Sequence, residues 1–161
     1  MVLHPVAGEL TEIVQRYAAK FSAIPDVDLL AKPNPVKWSR QEVIGHMIDS
    51  AQNNLRRFII SQYEPDPPHV VYAQDFWVSA NQYNSMSKQD VIQLWRLLNE
   101  RICAVWRQMP EEHADKLCNT SRTGTSLVTV RWLAQDYVLH LKHHINQVIA
   151  DSFDVKYPQQ F

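Results

Sequence analysis

Four long stretches of the sequence repeat apolar residues at the spacing of an amphipathic α-helix, and this pattern restricts the fold more than any other feature. The stretches run approximately over residues 7–23, 40–59, 88–109 and 130–151. The whole chain of 161 residues contains only three glycines, which is few for folds that need many tight turns or glycine-lined phosphate loops. The sequence therefore predicts an all-α fold, with residues 1–161 forming a single domain.

Signals at the ends of these stretches place the helix boundaries. The segment "SRQE" has the pattern of a capping box, with Ser39 at the cap and Glu42 three residues later. Ser87 is expected to begin the third helix, and either Ser126 or Thr129 the last one. Prolines break the chain into a connection between the first two helices, and the segment "CNTSRTGTS" is expected to be a polar turn.

Residues 63–86 separate the second and third helices and are too many for a turn of a helix bundle, which usually needs about 2–8 residues. The segment carries five aromatic residues and is expected to contain a short helix near residues 75–80. The sequence thus predicts a four-helix bundle with a long aromatic crossover between helices 2 and 3. Tyr72, Trp77 and Tyr83 are candidate walls of a substrate pocket, or else they fill a small core within the crossover.

Charge and composition exclude several classes of function. The formal net charge is −1 and no basic block is present, so the pattern of a nucleic-acid-binding protein is missing. No apolar run approaches the roughly 20 residues that span a bilayer, and no secretion signal is apparent. Cys103 and Cys118 have no CxxC spacing and are expected to be buried thiols. We therefore expect a cytoplasmic protein that binds neither nucleic acid nor membranes.

The segment "LHLKHHINQV" in the last helix holds three of the seven histidines. On a helical wheel His140 and His144 lean toward the apolar face, whereas His143 lies about 140° from its centre and is expected at the surface. Two imidazoles four residues apart can bind one divalent ion. The alternative is that both are polar side chains at the edge of the core.

A third ligand must come from another helix, and His46 in "QEVIGHMIDSAQNN" is the candidate. Its wheel position is about 145° from the apolar centre, so periodicity places it on the polar face beside Asp49. A site there would be a side groove that the crossover could roof. Asp49 and Asp136 are candidates to orient ligating imidazoles, or they are solvated surface acids. Three histidines with an open fourth position are typical of a catalytic metal site.

Three segments in this order resemble the DinB/YfiT-like superfamily: "KWSRQEVIGHMIDSAQNNLRRFI", "VYAQDFWVSANQY" and "WLAQDYVLHLKHHINQVI". The similarity extends from about Ala7 to Ala150. It implies an antiparallel four-helix bundle of unusual connectivity, often dimeric, with nickel or zinc held by His46, His140 and His144.

The resemblance also implies a class of activity, because characterised relatives include thiol-dependent S-transferases and isomerases, and many are described as metal-dependent hydrolases. We therefore expect a metal-dependent enzyme in which the ion activates a low-molecular-weight thiol cosubstrate for transfer to an electrophilic small molecule. One alternative is a hydrolase that uses metal-bound water. Another is a non-catalytic dimeric bundle that binds a metal or ligand.

Overall fold

The computed structural model describes residues 3–158, which consist mainly of helices. The helices are α1 (His4–Ser22), α2 (Asp26–Leu30), α3 (Arg40–Tyr63), α4 (Gln74–Asn81), α5 (Lys88–Gln108) and α6 (Val130–Val148). Two three-residue strands, β1 (Leu117–Asn119) and β2 (Leu127–Thr129), form an antiparallel hairpin between α5 and α6. Within the described residues no helix is both long enough and apolar enough to cross a membrane. The all-α prediction is confirmed.

The four long helices α1, α3, α5 and α6 enclose one hydrophobic core. Helix α1 packs on α5, and α3 packs on both α5 and α6. The largest buried side chains of this core are Trp95, Trp106, Tyr17, Tyr83, Tyr137, Phe21 and Phe58. The predicted four-helix bundle is therefore confirmed, and its arrangement brings the histidine-bearing helices α3 and α6 into contact.

The predicted caps determine where the long helices begin. At the start of α3, Ser39 Oγ accepts a hydrogen bond from the backbone N–H of Glu42, and the Glu42 carboxylate accepts one from the backbone N–H of Ser39. The Ser87 hydroxyl caps α5 in the same way, and of the two candidates for α6 the structure uses Thr129. Each cap contributes about 1 kcal/mol, and together they fix the direction in which α3 and α6 leave their loops.

The connection from α3 to α5 forms the predicted crossover, and α4 is the short helix expected near residues 75–80. A single 3-10 turn at Tyr83–Ser85 follows α4. The side-chain amide of Gln41 donates hydrogen bonds to the carbonyl oxygens of Tyr83 and Met86 and so ties the crossover to α3. The crossover consequently covers the polar face of α3.

Two segments fold differently from the prediction. The proline-containing connection after α1 includes the five-residue helix α2, which begins directly after Pro25. Asp26 and Asp28 lie in its first turn, where their negative charges favour the helix. The segment expected to be a polar turn forms the end of β1 and the loop to β2, with Gly124 at a φ of 100°. Strands of three residues are too short for an alternating pattern to reveal them.

Candidate metal centre

The three histidines of the predicted site meet where α3 packs against α6. His144 Nε2 lies 3.2 Å from His46 Nε2 and 3.0 Å from His140 Nε2. One ligand atom from each ring lies within 4.8 Å of the ligand atoms of the other two. No other group of three His, Cys, Asp or Glu side chains in residues 3–158 meets this condition. The four-residue spacing within α6 places two of the rings one turn apart, and the α3–α6 contact adds the third.

The tautomer of His144 leaves its inner nitrogen free to act as a ligand. His144 Nδ1 lies 2.8 Å from the side-chain oxygen of Gln147, which can only accept, so Nδ1 is the nitrogen that carries the proton. A neutral imidazole has one N–H, and the lone pair of Nε2 therefore points at the other two rings. Such a bond to the outer nitrogen is the usual support of a metal-binding histidine.

Burial keeps all three rings neutral at ordinary pH. Desolvation is the largest cause that lowers the pKa of His46 to about 3 and that of His144 to about 4, and each ring is also near another imidazole. The pKa of His140 is lowered well below its usual range, again mainly by burial. Neutral imidazole is the form that binds metal ions.

The nitrogen positions fit a divalent ion. Two nitrogens each 2.0–2.1 Å from a tetrahedral ion lie about 3.3 Å apart, close to the 3.0 and 3.2 Å separations that involve His144. Lone pairs that face one another at such distances repel unless a proton or a cation lies between them. The donor set is thus that of an open three-histidine site, which leaves a coordination position for a small molecule.

His46 is buried, although periodicity places it on the polar face of α3. Only 1% of its surface is exposed, and the ring of Trp38 packs 5.0 Å from its own. Its Nδ1 is buried without a hydrogen-bond partner in the described part of the chain. Asp49, Ser50 and Asn53 on the same face are also buried, because the crossover and α6 cover them. The polar face of α3 is therefore an interior surface of the protein.

Neither candidate carboxylate hydrogen-bonds to an imidazole within residues 3–158. Asp49 Oδ1 accepts hydrogen bonds from the Tyr83 hydroxyl at 2.5 Å and from Asn81 Nδ2 at 3.1 Å. The alternative that Asp49 is a solvated surface acid is wrong, since it is fully buried and burial raises its pKa to about 6. Asp136 is half-buried and accepts a hydrogen bond of 3.0 Å from the Tyr157 hydroxyl.

A cavity of about 410 Å³ lies beside the three histidines, and His140 is the one that lines it. Its wall is formed by residues of α3, the crossover, the loop between β1 and β2, α6 and the segment after α6. Tyr72 lines this cavity, whereas Trp77 packs against Tyr72 with ring centroids 5.5 Å apart and is not a lining residue. Tyr83 lies in the core.

His143 is not part of the three-histidine group. Its ring centroid lies 5.0 Å from that of His144 and 5.8 Å from that of Tyr157, and the side chain is half-buried. The wheel therefore correctly separates His143 from its two neighbours, although Tyr157 covers part of it.

The cavity also contains residues that the sequence analysis does not identify, notably Arg57, Arg122 and Tyr157. The position of Arg57 could be predicted from the sequence. It follows His46 by eleven residues, which places the two side chains within about 20° of each other on a helical wheel. It therefore extends the polar stripe of α3. Arg122 is in a loop and Tyr157 follows the last helix, so neither has a periodic pattern from which its position could be predicted.

Comparisons with known proteins agree with this architecture. The family model of the DinB superfamily matches residues 9–148. A solved structure described as "YfiT from Bacillus subtilis is a probable metal-dependent hydrolase with an unusual four-helix bundle topology" superposes with a TM-score of 0.75 at 20% identity, and the match covers 88% of this chain and 83% of that one.

Two further solved structures are of a mycothiol-dependent maleylpyruvate isomerase. One superposes with a TM-score of 0.67 at 14% identity over 95% of this chain and 62% of that one. The other, a histidine-to-alanine mutant of that isomerase, has a TM-score of 0.66 at 14% identity over 88% and 57%. The chain thus spans about three fifths of the length of these isomerases. No curated protein sequence matches the chain. The match of the family model to most of the sequence, together with the shared bundle, shows that the chain belongs to the DinB superfamily.

Proposed function

We propose that the protein is a metal-dependent enzyme that transfers a low-molecular-weight thiol to an electrophilic small molecule. The observation that carries this proposal is the convergence of three neutral imidazole nitrogens beside a cavity of about 410 Å³. His46, His140 and His144 would hold a divalent ion, nickel or zinc. A bound ion would supply Lewis acidity that lowers the pKa of a thiol or of water.

The nucleophilic sulfur must come from a second molecule. Cys103 and Cys118 are both buried, neither lines the cavity, and burial raises the pKa of each thiol. In the transfer, the sulfur would form a bond to the electrophilic carbon with its electron pair, and the thiol proton would pass to solvent. The bond broken at that carbon would be the one to a leaving group such as halide, which departs with its electron pair, or the π bond of a conjugated acceptor, whose carbanion is then protonated. A thiol cosubstrate also accords with the mycothiol dependence of the two isomerase structures that share this fold.

Hydrolysis is the second candidate function, and the position of Asp136 favours it. This carboxylate lines the same cavity as His140, and burial raises its pKa, which makes it a stronger base toward a water molecule. The similar structure from Bacillus subtilis is itself described as a probable metal-dependent hydrolase. The two candidates share the histidines and differ in the nucleophile.

Metal content provides the first test. Purified protein reconstituted with nickel or zinc should bind about one equivalent, whereas His140→Ala should retain less than about one-tenth of an equivalent by elemental analysis. His143→Ala is the matched control, since it changes the same residue type on the same helix outside the group. Equal metal content in the two variants would contradict the assigned ligands.

Turnover then separates the candidate functions. The metal-loaded protein is assayed with a panel of low-molecular-weight thiols against a chromogenic aryl halide, and separately with nitrophenyl esters without thiol. Thiol-dependent turnover that His140→Ala abolishes and His143→Ala retains supports transfer. Thiol-independent ester cleavage with the same dependence on His140 supports hydrolysis, and metal binding without either activity indicates a non-catalytic bundle.

We also propose that the protein works in the cytoplasm and that it forms a homodimer, the latter as the resemblance to the family implies. Analytical ultracentrifugation of the metal-loaded protein at micromolar concentration should give about twice the 18.8 kDa of one chain. A sedimentation mass equal to that of one chain would contradict the dimer and leave the metal centre unaffected.

A further inference from the structure

The cavity beside His140 contains two arginines and one acidic residue. Arg57 and Arg122 line it together with Asp136. Neither arginine forms a salt bridge with a carboxylate anywhere in residues 3–158, although five other ion pairs occur there. Two positive charges against one negative charge leave this part of the protein with an excess of one positive charge, although the whole chain carries a formal charge of −1.

Arg57 lines the cavity and donates its hydrogen bonds to neutral acceptors. Its Nε and Nη2 donate to the carbonyl oxygen of Val70, and Nη1 donates to the side-chain oxygen of Asn54 at 3.1 Å. These bonds use three of the five N–H groups of a guanidinium. The side chain is half-buried, burial is the largest cause that lowers its pKa, and the nearby charge of Asp136 opposes that shift without forming a salt bridge.

Arg122 projects from the exposed loop between β1 and β2. Its one hydrogen bond among the described residues runs from Nη2 to the side-chain oxygen of Gln74, at 3.2 Å. The loop is held in place by Asn119, whose side-chain oxygen accepts the backbone N–H groups of Ser121 and Ser126. The loop therefore has a defined position, while most N–H groups of its guanidinium are free to bind a ligand.

The two arginines and His140 reach the cavity from different elements of the fold. Arg57 lies on α3, Arg122 on the loop between β1 and β2, and His140 on α6, and all three line the same cavity of about 410 Å³.

We propose that the cavity binds its small-molecule substrate through a carboxylate, which Arg57 and Arg122 hold beside His140. The planar fork of a guanidinium matches a carboxylate with two parallel hydrogen bonds. In the protein without a bound ion, a single negative charge balances the excess of one positive charge, so a carboxylate is favoured there over a doubly charged phosphate. The catalytic part of this inference rests on the proposed function, whereas the binding part does not.

Binding to the metal-free protein tests the proposal without interference from a bound ion. Calorimetry compares benzoate with benzamide, which has the same shape without the charge, and with phenyl phosphate. Benzoate should bind at least tenfold more tightly than benzamide. Equal binding of the acid and the amide, or tighter binding of phenyl phosphate than of benzoate, would overturn the proposal.

Arginine variants locate the binding site. Arg122→Gln should weaken benzoate binding about 10- to 100-fold and leave benzamide unchanged, because it removes charge-assisted hydrogen bonds. Arg101→Gln is the matched control, since Arg101 is an exposed arginine on α5 that does not line the cavity. Unchanged benzoate affinity in Arg122→Gln with an unchanged melting temperature would also overturn the proposal.

The same variants distinguish this proposal from the proposed function. Arg122→Gln should bind one equivalent of metal like the wild type, because Arg122 is not one of the three ligands. A wild-type protein that binds metal but does not prefer benzoate to benzamide would refute the substrate class alone. Anion selectivity in a protein that fails to bind metal would refute the metal-dependent function alone.

Discussion

The two faces of α3 are equally buried, but different interactions hold them in place. Met47 is 0% exposed and belongs to the hydrophobic core, while its neighbour His46 is 1% exposed beneath Trp38 and beside α6. Apolar burial is non-directional and proportional to area, whereas a buried polar group needs a specific partner. Changes on the apolar face should therefore alter stability alone, and changes on the polar face should alter pH dependence and metal affinity.

The largest expected effect is a loss of stability of the metal-free protein in acid, which arises from the polar face. The pKa values of His46, His140 and His144 are lowered below their unfolded value of about 6.5, so the unfolded state binds more protons as pH falls. The free energy of unfolding should therefore be highest above about pH 6.5 and should fall by several kcal/mol toward pH 4. Urea unfolding at pH 7.5 and pH 4.5 measures this, and a flat profile would contradict it.

Asp49 should affect the pH dependence of stability in the opposite direction to the histidines and therefore provides a control. Its folded pKa of about 6 is above the unfolded value of 3.8, so the folded state gains a proton, and stability, as pH falls through 6. Asp49→Asn removes this contribution while its side-chain oxygen can still accept the Tyr83 hydroxyl. The loss of stability between pH 7.5 and 4.5 should consequently be steeper in Asp49→Asn than in the wild type.

On the apolar face, Met47→Ala should cost about 2–5 kcal/mol of unfolding free energy, because it leaves a cavity in the core. For a chain of this length the melting temperature should fall by about 2–4 °C per kcal/mol. Metal content measured well below the melting temperature should remain near one equivalent, even though the substitution is adjacent to His46. A proportional loss of metal would show that the two faces are not independent.

Gly45 tests the contact between α3 and the crossover. A Cβ atom at this position would lie 2.0 Å from the ring of Tyr83, which is buried. Gly45→Ala should therefore destabilise the protein by about 1–3 kcal/mol. In a Tyr83→Ala background the same change should be neutral or stabilising by up to about 1 kcal/mol, because alanine favours the helix. Equal costs in both backgrounds would exclude the steric explanation.

The smallest expected effect concerns the support of His144. Gln147→Ala removes the acceptor of the His144 Nδ1 proton and should weaken metal affinity about tenfold, at the lower end of the range for such supporting groups. Gln135→Ala, at another exposed position of α6, should leave the affinity unchanged. Competition with a chromogenic chelator measures both variants. An equal affinity in the two would show that Gln147 does not orient the ring.

The sequence predicts the bundle well because periodicity and caps are local. Ser39, Ser87 and Thr129 cap helices as their positions indicate, and the spacing of His140 and His144 places them on the same side of α6. Periodicity locates the polar side of α3 but does not show what packs against it. The burial of that side depends on the docking of the crossover, which is a tertiary interaction.

The same limit applies to the cavity. Arg57 could be predicted from the polar stripe that begins at His46, since helical geometry fixes its direction. Arg122 and Tyr157 reach the cavity only because a short hairpin and the segment after α6 fold back over the bundle. Contacts of this kind join residues that are distant in sequence, and no local pattern encodes them.

The hairpin loop, residues 120–126, has a consequence for how such a protein could diversify. The candidate metal ligands lie on two packed helices, whereas Arg122 and its neighbours in the cavity wall lie on a loop fixed at its base by β1, β2 and Asn119. Loops accept substitutions and changes of length that helices in a core do not. Replacement of this loop is therefore a route by which a new ligand preference could evolve, or be engineered, while the three-histidine group is inherited unchanged.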